Sequence, residues 1–172
     1  MSASTIRFVL NGDIVETEVV DPTRTVLQFL REDLALKGTK EGCAEGDCGA
    51  CTIVVVEIDH SGDDVELNTV NACIQFLPTI DGKELITVDG LQGKSGGLHP
   101  VQQAMVDEHG SQCGFCTPGF VMAIHELLQE NPRPSDEEIA DVLGGQICRC
   151  TGYQSILRAV QSAVAKLQAS GG

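Results

Sequence analysis

Eight cysteines in two differently spaced sets constrain this chain more than any other feature. The first set is Cys43-x4-Cys48-x2-Cys51 with Cys73 well downstream. The second is Cys113-x2-Cys116 with Cys148-x-Cys150. Thiols in such numbers pair as disulfides or hold metal. The N-terminal stretch MSASTIRFVLNGD lacks a basic start followed by an apolar core, and no twin-arginine pair is present, so no export signal is expected. A cytoplasmic setting follows, where thiols stay reduced, and metal ligation is the better reading.

The first spacing is that of a plant-type [2Fe–2S] ferredoxin. Two bridged irons need four thiolates. Three come from one tight loop and the fourth returns from elsewhere in the fold. Gly42, Gly46 and Gly49 interleave with the loop cysteines and let the backbone come close, so that its N–H groups point at sulfur. Zinc would instead favour two close pairs. The second set is less specific: from spacing alone, a tetrahedral zinc held by two cysteine pairs stands beside a [2Fe–2S] cluster. Cys116 precedes Thr117-Pro118, read as the N-cap and first position of a helix, whose positive end favours an anionic cluster. Cys148 and Cys150 would face opposite ways in a strand, so they are expected in a turn, with Gly145 and Gly152 supplying freedom.

Around these sets the pattern changes from strand to helix. Ile6–Leu10 alternates, Asn11-Gly12 is a hairpin turn, and Asp13–Val20 returns. Thr25–Leu34 has helical spacing, Thr52–Ile58 is a β-branched run, and shorter strands are expected near Val65–Leu67 and Leu85–Val88. A small sheet with one helix laid across it is the economical arrangement. Gly90–Gly97 reads as a linker. Beyond it, Pro100 opens a helix capped by His99, and Phe120, Ile124 and Leu128 mark a second. Ser135 and Glu138 form a capping box, and Ile156 to Leu167 mark a last helix before a disordered Ala-Ser-Gly-Gly tail. Four short helices imply a bundle. The fold class is therefore α+β, with a ferredoxin-like domain over residues 1–90 and a helical domain over 91–172.

A net charge of −14 repels phosphate backbones, so nucleic acid is not an expected partner. No apolar run approaches the roughly 20 residues of a membrane span. The histidines show no shared metal-ligand spacing, so catalytic residues are not expected in this chain.

Four stretches carry a resemblance to a known family: Gly38–Cys51, Asn71–Cys73, Gln112–Gly119 and Cys148–Tyr153. They resemble the two-cluster iron–sulfur subunit, or N-terminal segment, of the xanthine dehydrogenase family of molybdenum hydroxylases. The resemblance runs from about Ile6 to Val160. It implies a β-grasp ferredoxin fold followed by a four-helix bundle, and it favours [2Fe–2S] for the second cysteine set too. It further implies a molybdopterin cofactor on a large partner subunit, contacted by Gln112 and Cys150, and FAD on another subunit or domain. The chain would then be the iron–sulfur part of an oxidoreductase and a member of a hetero-oligomer. Electrons would pass from molybdopterin through both clusters to FAD and on to NAD. The stretch Leu98–Cys113 is most similar to the purine-oxidising members, so xanthine or hypoxanthine is the expected substrate. The alternatives are aldehydes, other N-heterocycles or carbon monoxide, and, as a different class, a free-standing ferredoxin-like carrier.

Overall fold

The computed structural model describes residues 4–59, 61–62, 64–92 and 96–170. Strands β1 (Ser4–Leu10) and β2 (Asp13–Val19) pair antiparallel, with Leu10 opposite Asp13. Asn11 and Gly12 turn between them, both at positive φ (53° and 85°), the conformation an Asn-Gly hairpin supplies. Strands β3 (Thr52–Ile58), β4 (Val65–Asn71) and β5 (Glu84–Ile86) complete a five-stranded sheet in the order β2-β1-β5-β3-β4. Only β1 and β5 run parallel, so the sheet is mixed.

Thr52 to Val55 are all buried, so β3 lacks the in–out alternation of a half-exposed strand. Both of its faces are covered. Ile53 and Val55 join Ile6, Phe8 and Leu85 in one core, under Leu27 and Leu30. Val54 joins a second core with Phe120, Ile124, Leu128 and the other helices. The expected single helix on the sheet is thus one of two layers.

The segment read as one helix over Thr25–Leu34 is shorter and wider. Thr25 and Gln28 cap α1 (Val26–Gln28) reciprocally, and a π-helical turn over Phe29–Asp33 follows, with the Leu34 N–H bonded to Phe29 O. The last strand stops at Ile86 because the Thr87 N–H turns to the Asn11 side chain (2.9 Å), and Val88–Leu91 forms a 3-10 turn. Leu91 is buried in the helical core, so the start of the expected linker is packed; residues 93–95 lie outside the described residues.

Four helices follow: α2 (Pro100–Asp107), α3 (Thr117–Glu130), α4 (Asp136–Gly144) and α5 (Gln154–Ser170). His99 caps α2, its Nδ1 accepting from the Val101 N–H, and Ser135 with Glu138 forms the capping box of α4. Cys116, not Thr117, is the N-cap of α3, which puts Pro118 within the first turn. The last helix runs to Ser170, into the expected disordered tail; residues 171–172 lie outside the described residues. Helix α3 is the central element: it packs on α2 and α4 and also against β3 and β4. No helix among the described residues is long and apolar enough to cross a membrane.

Candidate metal centres

The first three cysteines sit in the loop between the π-helical turn and β3, and Cys73 follows the end of β4. Because β3 and β4 pair with Thr52 opposite Asn71, and the Ala72 N–H then bonds to Cys51 O (3.2 Å), Cys73 is brought beside Cys51. Their thiols lie beside one another, and so do those of Cys43 and Cys48. The loop folds back tightly: the Asp47 and Cys48 N–H groups donate to Cys43 Sγ at 3.3 and 3.4 Å. Asn71 ties the loop to the sheet, its Nδ2 donating to Gly46 O (2.8 Å) while its Oδ1 faces Cys51 Sγ (3.9 Å). Gly46 and Gly49 have positive φ. Gly42 serves differently, because a Cβ there would stand 2.7 Å from Cys48 Sγ.

The backbone donors govern the thiol chemistry. The Glu45, Cys48 and Asp47 N–H groups lower Cys43 to about 6 from an ordinary 9.0. Burial, with Cys73 beside it, pushes Cys51 up to about 12.

The second foursome lies between the helices. Cys113 and Cys116 lead into α3, and Cys148 and Cys150 lie in the turn between α4 and α5. Cys113 Sγ and Cys150 Sγ are 3.6 Å apart and exposed, whereas Cys148 is buried against Cys116. Gly152 has the positive φ expected of that turn; Gly145 does not, and caps α4 in a right-handed conformation. Burial, then the Cys148 thiol, pushes Cys116 up to about 12. Burial also pushes Cys148 up, but the Thr151 hydroxyl and amide, the Cys150 amide and the Cys116 thiol together outweigh it, and the net shift is downward. Gln112, next to Cys113, is exposed.

The pairing of the sulfurs decides what such sites can hold. Two thiolates on one tetrahedral metal, with metal–sulfur bonds near 2.3 Å, stand roughly 3.8 Å apart. The 3.6 Å Cys113–Cys150 pair fits two ligands of a single iron. The remaining thiols also lie as neighbours, Cys43 by Cys48, Cys51 by Cys73 and Cys116 by Cys148, a grouping that two diiron cores would need. No group of three or more His, Cys, Asp or Glu side chains among the described residues is arranged around a single ion.

Three residues at this site carry roles that cysteine spacing does not reveal. The Tyr153 hydroxyl accepts from the Cys148 N–H (2.9 Å) and donates to Gln146 O (2.8 Å). Thr151 Oγ1 lies 3.1 Å from Cys148 Sγ. Gln146 is buried and its Nε2 donates to Thr52 Oγ1 (3.0 Å). The signal for Tyr153 is its place as the chain's lone tyrosine, three residues after Cys150. For Gln146 there was none.

Comparison with known proteins bears on both foursomes. A 2Fe-2S iron–sulfur cluster binding domain matches residues 8–77, and a [2Fe-2S] binding domain matches residues 87–161. The chain is 49% identical over 158 residues to xanthine dehydrogenase of Emericella nidulans, covering 92% of this chain and 11% of that protein. It is 45% identical over 152 residues to aldehyde oxidase 2 of Mus musculus, covering 88% of this chain and 11% of that one. The chain therefore spans about a ninth of the length of these relatives. Among solved structures it resembles quinoline 2-oxidoreductase from Pseudomonas putida 86, with a TM-score of 0.83, 35% identity and 99% of both chains covered. It also resembles the aldehyde oxidoreductase from Desulfovibrio desulfuricans, with a TM-score of 0.84, 34% identity, and 96% of this chain and 17% of that one covered.

Proposed function

Because this chain belongs to the xanthine dehydrogenase family of molybdenum hydroxylases, as its iron–sulfur segment, we propose that it relays electrons inside a multi-subunit oxidoreductase of that kind. In this reading Cys43, Cys48, Cys51 and Cys73 hold one [2Fe–2S] cluster, and Cys113, Cys116, Cys148 and Cys150 hold the other. The boundary falls at residues 90 and 91, between a β-grasp domain and a four-helix bundle. The five-stranded mixed sheet and helices α2 to α5 support that division.

Each cluster, when bound, takes up and gives back one electron. The chain's own groups tune and place it. The N–H groups of Asp47 and Cys48 stabilise negative charge on Cys43, and Thr151 does so on Cys148. The N-terminus of α3 directs its positive end toward Cys116.

Gln112 and Cys150, both exposed, are assigned to the pterin of molybdopterin on a large partner subunit. An amide there offers both donor and acceptor. Electrons enter at the helical foursome, cross to the loop foursome, and leave to FAD on a separate subunit or domain, then to NAD. The substrate is a purine such as xanthine or hypoxanthine, which the 49% identity to xanthine dehydrogenase of Emericella nidulans supports. The assembly is placed in the cytoplasm, where thiols are kept reduced for cluster loading.

The observation that carries the relay reading is the division of eight free thiols into two foursomes, each made of two close pairs. Isolation from the native host, with metal and flavin analysis, tests it. Molybdenum and FAD should co-purify, and xanthine should bleach the cluster absorbance. A chain isolated alone, with clusters that no substrate of the complex reduces, is a free carrier instead.

A further inference from the structure

A backbone hydrogen bond joins the two cysteine loops directly. The Ile147 N–H donates to the Cys48 carbonyl at 3.0 Å. Cys48 belongs to the loop foursome, and Ile147 immediately precedes Cys148 of the helical one. A continuous route therefore runs from the Cys48 side chain to its carbonyl oxygen, across one hydrogen bond, and along the Ile147 backbone into the Cys148 side chain.

Gln146, one residue earlier, is built into the junction. It is 6% exposed. Its Nε2 donates to Thr52 Oγ1 (3.0 Å), and that hydroxyl donates to Gly49 O (2.7 Å), so the side chain is anchored to the loop that carries Cys48 and Cys51. Its carbonyl is held from the other side by the Tyr153 hydroxyl. Its Oε1, buried with no hydrogen-bond partner, lies over two glycines: a Cβ on Gly49 would stand 2.2 Å from it, and one on Gly119 2.6 Å. The Gly119 Cβ would also meet the Gly49 carbonyl oxygen at 2.2 Å. The loop, the first turn of α3 and the end of α4 thus meet with no room for a methyl group. A buried acceptor left unpaired is destabilising, which marks a position held for its contacts rather than for stability.

We propose that Gln146 is the positioning residue that keeps the Ile147–Cys48 hydrogen bond closed, and that this bond is the contact across which an electron passes between the two clusters. The inference rests on the relay reading above. In the step, one electron leaves the cluster on Cys113, Cys116, Cys148 and Cys150, which is oxidised. It enters the cluster on Cys43, Cys48, Cys51 and Cys73, which is reduced. No proton moves and no covalent bond changes.

The test uses the full, cluster-loaded chain in three variants. Gly119→Ala wedges the junction. Gln146→Met and Thr52→Val each remove the anchoring hydrogen bond at near-constant volume, and they serve if the wedge fails to fold. Four quantities are read: iron content, the two midpoint potentials, the magnetic splitting between the reduced clusters, and the rate at which an electron injected at one cluster equilibrates with the other. The expected result is unchanged iron and potentials, weakened splitting, several-fold slower equilibration, and faster deuterium exchange at the Ile147 amide. Wild-type splitting and rate in variants whose Ile147 amide has become exchangeable overturn the proposal and leave the relay reading standing. A wild-type chain without two reducible clusters removes both.

Discussion

The Tyr153 hydroxyl receives the Cys148 N–H at 2.9 Å and passes a hydrogen bond on to the Gln146 carbonyl at 2.8 Å. One phenol thus braces both ends of the turn that presents the second cysteine pair. The tyrosine itself sits at positive φ (67°), a costly backbone for a bulky side chain, and its ring meets Phe120 edge-on at 5.9 Å. Tyr153→Phe keeps the ring and removes both bonds. It should destabilise the chain by about 1–3 kcal/mol, since a partly buried donor and acceptor lose their partner. It should also shift the potential of the helical cluster alone. Chemical unfolding and potentiometric titration of the variant check both outcomes.

Thr151 offers a gentler perturbation of the same cluster. A hydroxyl donated to a ligand sulfur stabilises the more negative, reduced state, so Thr151→Val should lower that cluster's midpoint potential. Thr151→Ser should keep it near wild type. The loop cluster's potential should not move in either variant.

Thiol reactivity in the metal-free chain distinguishes the cysteines by environment. Cys43, lowered to about 6, is a thiolate at neutral pH, whereas Cys51 and Cys116, near 12, stay protonated. Iodoacetamide at pH 7 should label Cys43 well before either of the others, with half-maximal rate near pH 6. Equal labelling of Cys43 and Cys51, followed by peptide mass mapping, contradicts the backbone-donor account of the loop.

Glu126 gives stability a pH dependence from a group that is not a thiol. Burial, and then Glu130, raises it to about 7 from an ordinary 4.5. The folded state prefers the protonated form, so the contribution is fully present below about pH 4.5 and is lost as pH rises through about 7. Glu126→Gln should flatten the decline in urea midpoint between pH 5 and 8. A slope unchanged by the substitution assigns the decline to other groups.

Much of this was legible in the sequence, for reasons that differ by residue. The Asn11-Gly12 hairpin, the Ser135–Glu138 capping box and the His99 cap rest on local chemistry, and local chemistry is what a sequence displays. The grouping of the cysteines was legible from spacing, and the fold brings Cys113 and Cys150 to 3.6 Å, whereas the metal of the second set was not, because two close pairs also suit zinc. The π-helical turn after Gln28 was not, because apolar periodicity does not distinguish one helical hydrogen-bond step from another over so few residues. Nor was the second layer on the sheet. The run Ile53-Val54-Val55 says that β3 is buried on both faces, but what covers each face is a long-range matter. The Gln146–Thr52 bond lies beyond sequence reading for the same reason: its partners are 94 positions apart.

The central claim is that eight thiols hold two independent diiron clusters, and spin counting tests it most directly. The chain, reduced anaerobically, is compared with Cys43→Ser and Cys113→Ser by low-temperature electron paramagnetic resonance. The account predicts two distinguishable signals in the wild type, loss of one in the first variant and loss of the other in the second. A single signal in the wild type, or both signals lost together in either variant, would contradict it.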